Sequence, residues 1–109
     1  MKRPGIGDLR HRVVLEAETR APDGGGGAVV GWTVVAEMWA AIHPMSGGES
    51  VAAEAVSGTL SHVVVIRSRP GVVPAMRFRR GARVLAIAAV REIDDRNRYL
   101  ACACRENDL

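Results

Sequence analysis

Apolar and polar positions alternate with a period of two along most of this chain, and valine carries much of the alternation. Residues 12–19 set Val13, Leu15 and Ala17 against Arg12, Glu16 and Glu18, which predicts a half-buried strand. Ala21-Pro22-Asp23 and the run Gly24 to Gly27 break the pattern and predict a turn or a mobile loop. Residues 28–42 read as one long extended stretch with a candidate bend at Gly31. It stops at His43-Pro44, because proline has no N–H to give a ladder. Residues 61–67 form a third strand on Val63, Val64, Val65 and Ile66. Arg69-Pro70-Gly71 is a turn signal, and Pro74 restricts its neighbours to an irregular crossing. Residues 76–79 predict a short strand and residues 83–93 a long one. Residues 99–106 are its hairpin partner across Asp94-Asp95-Arg96-Asn97-Arg98.

One segment leaves this period. Ser46-Gly47-Gly48-Glu49 has the S-x-x-E spacing of a capping box, and Val51, Ala52, Ala55 and Val56 succeed it at helical spacing, with Gly58 at the C′ position. Two glycines in the first turn make any helix here short. The fold class is therefore mainly β: a small antiparallel β-barrel or sandwich of about six strands with one short helix. The strands also carry apolar residues on both faces. Val34, Ala36, Met38, Ala40 and Ile42 share one side of the long stretch, while Val35, Trp39 and Ala41 occupy the other; residues 84–90 are apolar throughout. A small barrel has one interior, so a second apolar face needs a covering segment or another subunit. One short helix cannot cover both strands, which predicts association with other chains, the face around Trp39 being buried against another chain or against residues 43–60.

Composition narrows the class without changing it. The chain has 109 residues, 48% of them hydrophobic, and a net charge of +3, which fits one globular domain spanning 1–109. A chain of this length buries roughly 65% of the surface its unfolded form exposes, enough for one modest core. The unbroken apolar stretch of residues 84–90 is far short of the ~20 residues of a membrane helix. No leader pattern is visible at the start, which predicts a protein that stays where it is made, in the cytoplasm. Cys102 and Cys104 would share a strand face about 6.6–6.8 Å apart, at the upper edge of disulfide geometry. Buried, reduced thiols are the favoured reading.

Catalysis finds little support. His11, His43 and His62 are scattered with no metal-ligand spacing, Asp94-Asp95 sits in a hairpin beside Arg96 and Arg98, and Gly24 to Gly27 lacks the Gly-Lys-Ser/Thr ending of a phosphate loop. The expectation is no enzyme, no metal and no cofactor. The basic residues are more informative. Lys2 is the only lysine, and Arg67, Arg69, Arg77, Arg79, Arg80 and Arg83 fall in a stretch with no acid between Glu54 and Glu92. Three readings stay open for them: a phosphate-binding patch, a solvated strand face, and a partner interface of arginine–carboxylate pairs, the last being favoured. No recognition helix or zinc module exists to read bases, so any DNA contact would be non-specific.

With those residues in view, the sequence resembles the phage head-tail joining proteins, also described as head-completion or stopper proteins. The similarity runs in order through residues 6–13, Pro22-Asp23-Gly24-Gly25-Gly26 leading to Trp32, and residues 35–42 with Pro44, Ser46, Gly47 and Glu49. It continues through residues 62–67, Arg69-Pro70-Gly71-Val72 and Met76-Arg77, and closes at Cys104-Arg105-Glu106. The resemblance implies a structural protein that forms a ring, usually of six copies, between the portal or adaptor ring and the tail terminator or tail tube. Double-stranded DNA passes through the channel, and no membrane is involved. It implies assembly in a bacterial cytoplasm, then residence in the neck of a phage-like particle, with phage, prophage and gene transfer agent all open as sources. In some relatives a loop after the second long strand projects into the channel. By position that loop is residues 43–60 here, with Ser46, Gly47, Gly48, Glu49, Val51 and Glu54 as the candidate channel residues. Trp39, Arg67, Arg69, Arg77, Arg79 and Arg80 are the candidate subunit or partner interface. Two alternatives stand beside this: an adaptor or tail-terminator subunit of the same particle, and a stand-alone barrel binding nucleic acid non-specifically.

Overall fold

Six antiparallel strands close on themselves in the computed structural model, which describes residues 9–45, 60–93, 96 and 98–108. They are β1 (His11–Pro22), β2 (Ala28–Pro44), β3 (His62–Arg67), β4 (Arg77–Arg80), β5 (Arg83–Glu92) and β6 (Tyr99–Asp108). Round the barrel the order is β1-β2-β3-β6-β5-β4, and β4 returns to β1 to shut the ring. The predicted architecture is the one observed, and every predicted strand is present. The short helix and the candidate channel residues Ser46, Gly47, Gly48, Glu49, Val51 and Glu54 lie outside the described residues.

Alternation decides the interior. Val13 and Leu15 on β1, Ala40 on β2, Val64 and Ile66 on β3, Phe78 on β4, Leu85 and Ile87 on β5, and Leu100, Cys102 and Cys104 on β6 pack into one core. Val72 and Met76, from the crossing between β3 and β4, are buried in the same core. Burying each large side chain contributes about 1.5–3 kcal/mol relative to leaving it exposed. Cys102 and Cys104 are free and buried, and burial pushes the Cys102 thiol up to about 12 and that of Cys104 higher still.

Two bulges account for apolar runs that a strict period of two reads as double-faced. Leu15 pairs with Ala36 but Glu16 with Val34, so Val35 is an extra residue on β2. The irregularity in the long stretch thus falls at Val35; the predicted bend site, Gly31, lies in regular ladder opposite Thr19. On β5, Ile87 pairs with Cys104 and Ala89 with Ala103, leaving Ala88 unpaired. The inserted residue shifts parity, so that Leu85, Ile87 and Val90 all face the core while Ala89 is exposed. Part of the second face is also covered from within the chain. Leu9, Ala41, Val65 and Tyr99 form a smaller cluster outside the barrel, flanked by Val63 and Ile93. Trp39 lies on the same side of β2 as Ala41 and stays 50% exposed.

Candidate interaction surface

The first two strands are longer than a barrel of this size needs. β1 has 12 residues and β2 has 17, yet β1 meets β4 only at Val14, Leu15 and Glu16, and β2 meets β3 only from Ala40 to Pro44. Beyond Glu16, among the described residues, residues 17–22 and 28–33 pair only with each other. They form a two-stranded arm about 20 Å long at ~3.4 Å per residue. The arm accounts for a long axis of 50 Å against 28 and 26 Å across. Among the described residues both its edges carry unpaired backbone donors and acceptors, a ready template for pairing. Val29, Val30 and Trp32 are exposed on it.

The tip of the arm is built by Asp23. Its Oδ1 accepts from the amides of Gly25 at 2.7 Å and Gly27 at 3.1 Å, and its own N–H donates to the Gly27 carbonyl at 3.2 Å. Gly24 and Gly26 turn the chain at φ +87° and +88°, a region other residues enter only with strain. The two amide bonds hold the Asp23 carboxyl below its ordinary value, so an ionised carboxylate stands at the end of the projection.

A charge cluster fixes the arm's base. Glu16, only 4% exposed, accepts from Arg77 Nε at 2.7 Å through Oε1 and from Arg79 Nε at 2.9 Å through Oε2. Burial alone would raise the carboxyl; the two guanidinium hydrogen bonds and charges outweigh it, and the net direction is down. The Arg77 guanidinium also lies 4.0 Å from the ring centroid of Trp32. One cluster therefore joins β1, β4 and the arm where the β1–β4 seam is shortest.

This divides the arginines that sequence reasoning grouped. Arg77 and Arg79 have an acid of their own chain, and Arg83 is bound by Glu106 at 2.7 and 3.2 Å. Glu16 was legible as a polar residue on β1, but its partners lie 61 and 63 positions away, beyond any local pattern. Arg80 is exposed at the end of β4. Arg67 and Arg69 behave differently. They join Leu9, Arg12, Glu37, Met38, Trp39 and Ser68 round a groove on the outer face. Arg12 pairs with Glu37 and lies 5.1 Å from the Trp39 centroid. The Arg69 Nε is buried and lacks a hydrogen-bond acceptor among the described residues. The structure thus brings Trp39, Arg67 and Arg69 together and sets Arg77, Arg79 and Arg80 on another strand. Sequence reasoning missed the arm; the only signal was the length of its first two strands.

Among the described residues, no group of histidine, cysteine and carboxylate side chains is arranged to hold a metal, and no helix is long and apolar enough to cross a membrane. The surface offers exposed apolar side chains, free strand edges and a groove carrying cationic side chains.

Comparison with known proteins points in the same direction. Residues 5–107 match the family model described as phage head completion protein. A chain in the virion of a native gene transfer agent particle is 33% identical, with 98% of this chain and 100% of that chain covered and a TM-score of 0.66. The solution structure of protein SF1141 from Shigella flexneri 2a is 25% identical, with 95% and 97% covered and a TM-score of 0.74. No curated protein matches the chain.

Proposed function

The chain belongs to the phage head completion protein family, and on that premise we propose that it is the stopper subunit of a head-tail connector. In this reading six copies form a ring below the portal or adaptor, the tail terminator or tail tube docks on the opposite side, and double-stranded DNA occupies the channel. The observation that carries the reading is the family match across residues 5–107, which includes all of the barrel but the last residue of β6. The similar chain in a native gene transfer agent virion supports a place in a phage-like particle; assembly in the bacterial cytoplasm is part of the proposal.

The geometry suits a structural role. The strands close into a barrel, and among the described residues the longest stretch of strand paired on one side only is the arm with the adjoining part of β2. An exposed Trp39 beside Arg67 and Arg69 adds an aromatic and arginine surface of the kind that anchors protein interfaces. Residues 43–60, with Ser46, Gly47, Gly48, Glu49, Val51 and Glu54 as the candidate channel residues, remain the segment proposed to face the channel.

Removal of the gene from a particle-producing strain tests the reading. Tail-less heads and free tails should accumulate, and the heads should lose packaged DNA. Tails of irregular length on intact heads would assign a tail-end role, and normally tailed particles would overturn the proposal. A salt-steep affinity of the isolated chain for DNA would favour the stand-alone nucleic-acid barrel.

A further inference from the structure

The arm and the groove are complementary but cannot satisfy each other within one copy, because the arm leads away from the barrel while the groove lies on the barrel wall. The arm ends in the Asp23 carboxylate, whose Oδ1 takes both loop amides, leaving Oδ2 as an acceptor. Beside it stand Val29, 60% exposed, and Val30. The groove holds the mirror set of features. Arg69 has a buried Nε without an acceptor among the described residues, Arg67 is exposed, and Leu9, Met38 and Trp39 supply an apolar floor. Among the described residues lining the groove, Glu37 is the one acid, and Arg12 pairs with it.

From this we infer that the arm of one copy docks in the groove of the next, with Asp23 meeting Arg67 and Arg69 and the tip valines packing against Trp39. The inference rests on the reading of the chain as a ring-forming connector. Charge complementarity selects a second copy as occupant. The arm offers a carboxylate to a cationic groove, and guanidinium–carboxylate pairs give direction and register. An arm of about 20 Å spans most of the neighbour's 26–28 Å width. The contact joins two different surfaces, so it is heterologous, and heterologous contacts close into rings when the rotation permits. The latch of Glu16, Arg77 and Trp32 at the arm's base then sets the angle between neighbours.

Cross-linking in assembled particles tests the contact. Gly25→Cys and Ser68→Cys in one chain place one thiol at the tip and one in the groove while keeping the Asp23 carboxylate; a side chain at Gly25 meets nothing closer than Asp23 Oδ1 at 3.6 Å, and the native Cys102 and Cys104 are buried and do not compete. Mild oxidation and then non-reducing denaturing electrophoresis should give a ladder of this chain alone, absent from either single variant. A cross-link to a different virion protein, or no cross-link in particles that contain the chain, overturns the inference and leaves the connector reading standing. Particles that lack the chain altogether overturn both. Charge removal gives a second readout. Asp23→Asn, which keeps the Oδ1 acceptor of the tip, and Arg67→Ala should each cut the yield of tailed particles about tenfold, and the two together should cut it no further. Losses that multiply in the double variant would contradict the pairing.

Discussion

Replacing Arg77 by alanine should weaken the barrel itself, by an amount the geometry bounds. The guanidinium donates to a carboxylate that is almost wholly buried, at 2.7 Å, and stacks 4.0 Å from the centre of Trp32. Loss of a hydrogen bond to a charged group costs about 1.5–3 kcal/mol, and loss of a cation–π contact to an exposed ring such as Trp32 about 0.5–1 kcal/mol. Removing the sole partner of a buried charge costs ~3–5 kcal/mol, but Glu16 keeps Arg79 at 2.9 Å. The expected destabilisation is therefore about 2–4 kcal/mol, a large fraction of the ~5–15 kcal/mol that holds a domain of this size. Chemical denaturation monitored by tryptophan fluorescence would read it, since Trp32 sits on the cluster. Combining Arg77→Ala with Glu16→Gln should cost clearly less than the sum of the two, a coupling of at least about 1 kcal/mol. A loss below about 0.5 kcal/mol for Arg77→Ala, or strict additivity in the double variant, would refute the latch.

The same geometry sets three further outcomes. Acid should weaken the fold through Glu16: its carboxyl lies below the ordinary 4.5 in the folded state, so its contribution is present above that value and fades as pH falls through the lower folded one. Glu16→Gln should flatten that slope in denaturation curves recorded between about pH 3 and 6. Trp39→Glu should leave stability within about 0.5 kcal/mol, because the ring is half exposed, yet abolish joining of heads to tails; a fully active variant would remove Trp39 from any interface. Cys102 and Cys104 should resist alkylation at pH 8 until the chain is unfolded, and rapid native labelling would contradict their burial.

The strands were legible because their alternation survives in sequence: Val13 and Leu15, Val64 and Ile66, and Cys102 and Cys104 all turn inward as a period of two requires. Phe78, flanked by two arginines, was equally readable as a core residue. The bulges at Val35 and Ala88 were not, because a bulge changes which residue faces inward without changing composition. The covering of Ala41 and Val65 by Leu9 and Tyr99 depends on contacts between distant segments, so part of the apolar surface assigned to partners is internal. The arginines show the same limit most sharply. Their clustering in sequence suggested one surface, but β4 turns Arg77 and Arg79 toward Glu16, while Arg67 and Arg69 line the groove at Trp39. Register across the sheet, which no local pattern encodes, decides which arginine has an internal acid.

The most direct measurement of a connector role is reconstitution. Purified chain added to tail-less heads from a strain lacking the gene, together with free tails, should restore tailed particles, with yield saturating at a fixed number of copies per head. The Arg77→Ala chain, if it stays folded at the assay temperature, should saturate at the same number but at higher input. Heads that bind no added chain and remain tail-less would contradict the assignment of this protein to the head-tail connector.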